Sequence, residues 1–144
     1  MKKNCTMVSA LFIGLTILTT TPLAAAEPLE LRKIMQDMGA EMAAISEAVS
    51  REQWAEVESA ALKIADHPRP PMSERMRIKS LLGSDMGRFK SYDIKTHGTA
   101  RELAKVAANE DGEAVIATFA TLQSSCLACH QNFRQPFQLH FYGE

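Results

Sequence analysis

The chain has 144 residues, a formal net charge of −1, 46% hydrophobic and 23% charged residues, enough for one domain with its own core. Aromatics make up only 6% while methionines number eight, a composition that lacks the Val/Ile/Tyr/Thr weighting of sheets and suits helices. The near-neutral balance excludes nucleic-acid binding, which needs a basic footprint.

Lys2 and Lys3 precede an apolar run from Val8 to Leu18; residues 19–22 break it, and Ala24, Ala25 and Ala26 supply the small residues of a cleavage site. This pattern predicts an exported, periplasmic protein with a signal peptide over residues 1–26 and a mature domain over residues 27–144. The run is too short to span a bilayer comfortably, so no stable membrane insertion is expected after cleavage. Cys5 lies before the run, on the wrong side for lipid attachment. Losing Lys2 and Lys3 takes the 16 basic residues to 14 against 17 acidic ones, a net charge of −3.

The periodic signals that follow are helical. Pro28 suits a first helical turn. Beyond it Leu31, Met35, Met38, Met42, Ile45 and Val49 recur at four-three spacing along one face. Ser50 and Gln53 form a capping-box pattern that opens a second helix, with Trp54, Val57, Ala61 and Ile64 on its face. His67-Pro68-Arg69-Pro70-Pro71 ends it. Residues 72–90 are ambiguous between a short helix and a packed loop, because Gly83 and Gly87 interrupt the apolar positions. A third long helix is expected from about Ser91 to Ala108 with Ala100, Leu103, Ala104 and Ala107 inward, followed by a turn at 109–112. The fourth runs to about Phe137 along Val115, Phe119, Leu122, Cys126, Cys129 and Phe133. The reading is all-α: an antiparallel four-helix bundle.

On the last helix Cys126-Leu127-Ala128-Cys129-His130 is C-x-x-C-H, the attachment pattern of c-type haem. Residues three and four apart share a helix face, so both thiols and the imidazole converge. Two thiols can add to the two haem vinyl groups, and His130 can then ligate iron axially. A disulfide between Cys126 and Cys129 would close too short a loop to stabilise the fold appreciably. A redox dithiol usually accompanies a βαβ pattern, absent here. Zinc would need two further ligands, and His67, His97 and His140 show no motif spacing.

With its continuation Gln131-Asn132-Phe133-Arg134, the motif resembles that of class II c-type cytochromes, the cytochrome c prime family, which carry C-x-x-C-H-x-x-F-R on the last helix of a four-helix bundle. The likeness in helix order covers nearly all of residues 28–138; its specific part is the final motif. The resemblance implies one covalent haem c, no catalytic residues, transient redox partner proteins and compatibility with a homodimer. It also implies two branches. In one, iron is five-coordinate and admits small gases such as nitric oxide. In the other, a first-helix methionine completes His/Met ligation and the protein carries electrons.

Met35 is the residue that the Met-ligated branch favours as the partner of His130. Met38 and Met42 follow at one-turn intervals, and methionines at helical spacing commonly fill cores instead. Arg32 lies three residues before Met35 and four before Gln36, so a shift of one residue would put Gln36 at the distal position. Arg134 is expected either at a haem propionate, as in the family, or in solvent. Phe133 is expected against the ring and Trp54 in the core. His97 is expected in a structural or surface role with Asp93 at i−4, and His67 and His140 in solvent.

Overall fold

The structure, a computed structural model, describes residues 28–143; the expected signal peptide lies outside them. Five helices follow one another: α1 (Glu30–Ser50), α2 (Trp54–Ala65), α3 (Met72–Leu82), α4 (Met86–Ala108) and α5 (Gly112–Tyr142), with a 3₁₀ turn at Gly83–Asp85 between α3 and α4. α1, α2, α4 and α5 form a four-helix bundle, and α3 is a short connecting element. No described helix is long and apolar enough to cross a membrane.

Two turns reverse the chain, and both are built the same way. Glu52 (φ 54°) and Glu110 (φ 57°) occupy the left-handed region. Gln53 N–H reaches the Ala48 carbonyl at 2.9 Å and Glu52 N–H the Val49 carbonyl at 3.1 Å; Asp111 N–H and Glu110 N–H repeat the pattern onto Val106 and Ala107. These are Schellman motifs, in which backbone donors satisfy the last carbonyls of a helix. The expected capping box is therefore not formed. Ser50 is still inside α1 and bonds back to the Ser46 carbonyl, while the Gln53 side-chain oxygen is buried without a protein partner. Among the described helices α5 alone is capped by its own N-cap residue, Asp111 accepting from Ala114 N–H at 3.0 Å.

Three other boundaries differ from expectation. α1 begins at Glu30, so Pro28 precedes the helix. α4 begins at Met86, with Gly87 inside it, and the break falls at Gly83, whose φ of 51° ends α3. α5 continues through Pro136 to Tyr142. An interior proline costs about 3 kcal/mol, but Phe133, Phe137 and Phe141 stand at successive four-residue intervals and are all buried. Burying aromatic side chains at about 1.5–3 kcal/mol each outweighs that loss.

Helix lengths divide the bundle. α1 has 21 residues and α2 only 12, about 31 and 18 Å at 1.5 Å per residue. Where all four helices run side by side they enclose a core of Ile45, Val57, Ile64, Leu103, Val115 and Leu122 with alanines 48, 60, 61, 65, 100, 104 and 107. The small alanine side chains let α2 and α4 pack closely. Where α2 has ended, a second cluster gathers Leu29, Ile78, Leu82, Phe133, Phe137 and Phe141. Here the glutamate of α3 has a structural task. Glu74 is buried and accepts the Glu30 and Leu31 N–H groups at 2.7 and 2.8 Å. It caps α1 from another helix, placing a carboxylate at the positive end of the helix dipole.

Candidate haem site

α5 carries the motif across the boundary between the two clusters. Leu122 and Ser125 are buried in the bundle, and Ser125 meets the Thr96 hydroxyl of α4 at 3.2 Å. This buried pair fixes the rotation of α5 just before the motif. One turn on, Cys126, Cys129 and His130 emerge on the wall of a cavity of about 1450 Å³, above the roughly 300–1,000 Å³ of ordinary small-molecule sites. α1 and α5 scarcely touch each other, and the cavity occupies the gap between them.

Its walls come from every part of the fold. α1 contributes Arg32, Met35, Gln36, Met38, Gly39 and Met42. α4 contributes Met86, Phe89, Tyr92, Asp93 and Thr96, and the α2–α3 connection contributes His67 and Pro70. Phe133 is buried, with Phe89 edge-on at 5.3 Å between ring centres. Ile94 and Leu127, 59% and 57% exposed, also line the cavity.

The donor groups are held in uncharged forms. Cys126 and Cys129 are free thiols. Burial raises the pKa of Cys126, and burial together with the nearby Asp93 carboxylate pushes Cys129 up to about 11. His130 is exposed by surface area, yet enough protein surrounds its ring to disfavour the imidazolium. Its pKa is lowered first by this desolvation and then by the Arg134 guanidinium. A neutral imidazole keeps the lone pair a metal requires.

Across the cavity the three α1 methionines differ. Met38 and Met42 are half-buried and pack against the aliphatic core, whereas Met35 is 38% exposed and makes no part of either cluster. Gln36 borders both this cavity and a shallow outer depression with Pro28 and Lys33; Met35 borders the cavity alone. Arg32 stacks over the Tyr142 ring at 4.6 Å. Arg134 lines the cavity and is exposed.

A family model described as Cytochrome C' matches residues 29–134. The chain belongs to the cytochrome c′ family. The match ends on Arg134, so it takes in the whole thiol–imidazole motif. No curated protein and no solved structure matches the chain. Proteins of this family are monohaem c-type cytochromes with one covalently attached haem c. The cavity of this cytochrome fits such a group: two thiols and a neutral imidazole stand on one helix face, beside a large space walled by methionine, phenylalanine and leucine.

Several lining or supporting residues were not singled out in the sequence. Phe89 and Tyr92 lie in or beside the ambiguous 72–90 stretch, and their spacing of three was the available signal. Glu74 gave none, because a carboxylate near the start of a short helix looks like any first-turn acid. Among the residues that were singled out, Trp54 packs against the core, with the position of a Gly112 Cβ only 3.1 Å from its ring. His140 is exposed and meets Phe141 edge-on. His67 is not solvated: it is half-buried and stacks on His97 with ring centres 4.7 Å apart.

Proposed function

We propose that this cytochrome is a periplasmic one-electron carrier, with Cys126 and Cys129 as the thioether attachments, His130 as one axial ligand and Met35 as the other. The haem, when bound, supplies an iron that cycles between ferrous and ferric states. The observation that carries the reading is the contrast among the α1 methionines. Met38 and Met42 are committed to the core, and Met35 alone of the three faces the cavity without packing into either cluster. A thioether is a soft donor that favours the ferrous state and raises the potential. Rigid helical support on both walls keeps donor positions fixed between oxidation states. Arg134, one turn after His130 and close enough for its charge to lower the His130 pKa, lines the cavity, and we assign it to a haem propionate. Redox partners would bind transiently through a small interface, and no residue is assigned a catalytic role.

A second reading has its own support. Gly39 lies one turn beyond Met35, and a Cβ built there would meet nothing within 4 Å. That opening, walled by apolar groups, suits a five-coordinate iron that admits a small gas such as nitric oxide. The ferrous visible spectrum separates the two. A sharp low-spin α-band unchanged by carbon monoxide is expected, turning high-spin and CO-sensitive in Met35→Ala. A wild-type spectrum that is already broad and shifts with gas would establish the second reading. If Met35→Ala stays low-spin, the ligand is a different residue.

A further inference from the structure

We propose that His67, Asp93 and His97 form a binding site for one divalent transition-metal ion of the zinc class, separate from the axial ligands of the haem. Their donor atoms all lie within 4.8 Å of one another, at the edge of the cavity where the α2–α3 connection crosses α4. Two imidazoles and one carboxylate, with a water completing the shell, is a donor set that zinc accepts.

The hydrogen bonds around the histidines favour this use. His97 Nδ1 contacts the Ala65 carbonyl, and His67 Nδ1 contacts the Pro68 carbonyl at 2.9 Å. A carbonyl oxygen only accepts, so each Nδ1 must carry the proton. In the neutral rings this leaves both Nε2 atoms as lone-pair donors. Histidine ligands are commonly oriented in this way, the remote N–H tied to a backbone carbonyl so that tautomer and ring direction are fixed. Asp93 Oδ1 lies 3.4 Å from His97 Nε2. Ligands on a tetrahedral ion with bonds of about 2.0–2.1 Å stand about 3.3 Å apart, so this pair is already at ligand separation. His67, on the α2–α3 connection, is the ligand that closes the remaining distance, from within 4.8 Å of the other two donors.

Two bland uses of these residues fit less well. An Asp93–His97 ion pair along α4 would account for those two side chains but not for His67, whose ring is stacked on His97 rather than turned to solvent. Arg101, which meets the same Ala65 carbonyl as His97, has Asp66 as its carboxylate partner at 2.8 Å. The site does not depend on whether Met35 ligates iron.

The test is calorimetric titration of the haem-loaded protein with zinc chloride. One ion per chain is expected, with Kd of about 1 μM. His67→Gln and Asp93→Asn should each weaken binding at least about tenfold with the helical circular dichroism unchanged, and His140→Gln should leave it alone. Binding equally tight in both variants would overturn the proposal. So would the absence of binding below about 1 mM in the wild-type protein, the result expected if a haem propionate engages the histidines instead.

Discussion

The two halves of this bundle are built from different materials. Where α2 runs beside its neighbours, the core is aliphatic and rich in alanine, and Ile45, Val57, Ile64, Leu103, Val115 and Leu122 are wholly buried. Beyond the end of α2 the core turns aromatic: Phe133, Phe137 and Phe141 pack with Phe89 and Tyr92 around α3. The cavity opens at the border. A closed aliphatic half can be complete without a ligand, because small side chains let the helices approach until no space remains. Between the two clusters α1 and α5 stand apart, and the cavity lies in that gap. The difference teaches that stability and site chemistry are allotted to separate lengths of the same helices.

Substitutions can break that division, and the largest expected effect lies at the site. Replacing both Cys126 and Cys129 by alanine should abolish covalent attachment, read as loss of the haem-stained band on a denaturing gel. A retained band would mean attachment elsewhere. In the closed half, Leu103→Ala should cost about 2–5 kcal/mol through lost burial and a cavity, measured by denaturant unfolding, with the haem spectrum unchanged. Met35→Ala is the crossed control: about 0.5 kcal/mol or less in stability, as for exposed positions, and a changed spectrum. If Leu103→Ala alters the spectrum as Met35→Ala does, the two halves are not separable.

Glu74→Ala should cost about 1–3 kcal/mol, because two backbone donors at the start of α1 lose their acceptor. Glu74→Gln, which keeps one oxygen, should lose less, and equal losses would mean that the carboxylate acts by packing. One substitution is expected to be a small gain. Glu110 occupies the left-handed position of a Schellman turn at φ 57°, where a side chain is strained and glycine is not. Glu110→Gly should therefore stabilise by about 0.5–1 kcal/mol in the same unfolding measurement.

Much of this was legible because it depends on neighbours in the chain. The four-three spacing of Met38, Met42, Ile45 and Val49, of Trp54, Val57, Ala61 and Ile64, and of Val115, Phe119, Leu122, Cys126, Cys129 and Phe133 located the inward faces of the helices. The C-x-x-C-H motif located both thiols and the imidazole together. One local signal gave way to another, the Ser50–Gln53 capping pattern to a Schellman turn whose partners are all nearby backbone. Other local signals failed where burial or a distant group supplied the energy. The last helix, expected to end at about Phe137, runs on to Tyr142, and the buried Phe137 and Phe141 hold that extension. His67 in a proline-rich turn looked solvated until His97, thirty residues along the chain, came to stack on it.

The sequence by itself determined an all-α chain with a haem-attachment motif on its last helix, because helical periodicity and a three-four spacing of donors are properties of consecutive residues. Which α1 methionine is left out of the core could not be read from that spacing, since Met35, Met38 and Met42 share one face. It was decided by the end of α2 at Ala65 and by the Glu74 carboxylate that anchors the start of α1. Both act through space, and together they set how deep each turn of α1 lies, so that Met38 and Met42 pack into the core while Met35, on the same cavity wall, stays exposed.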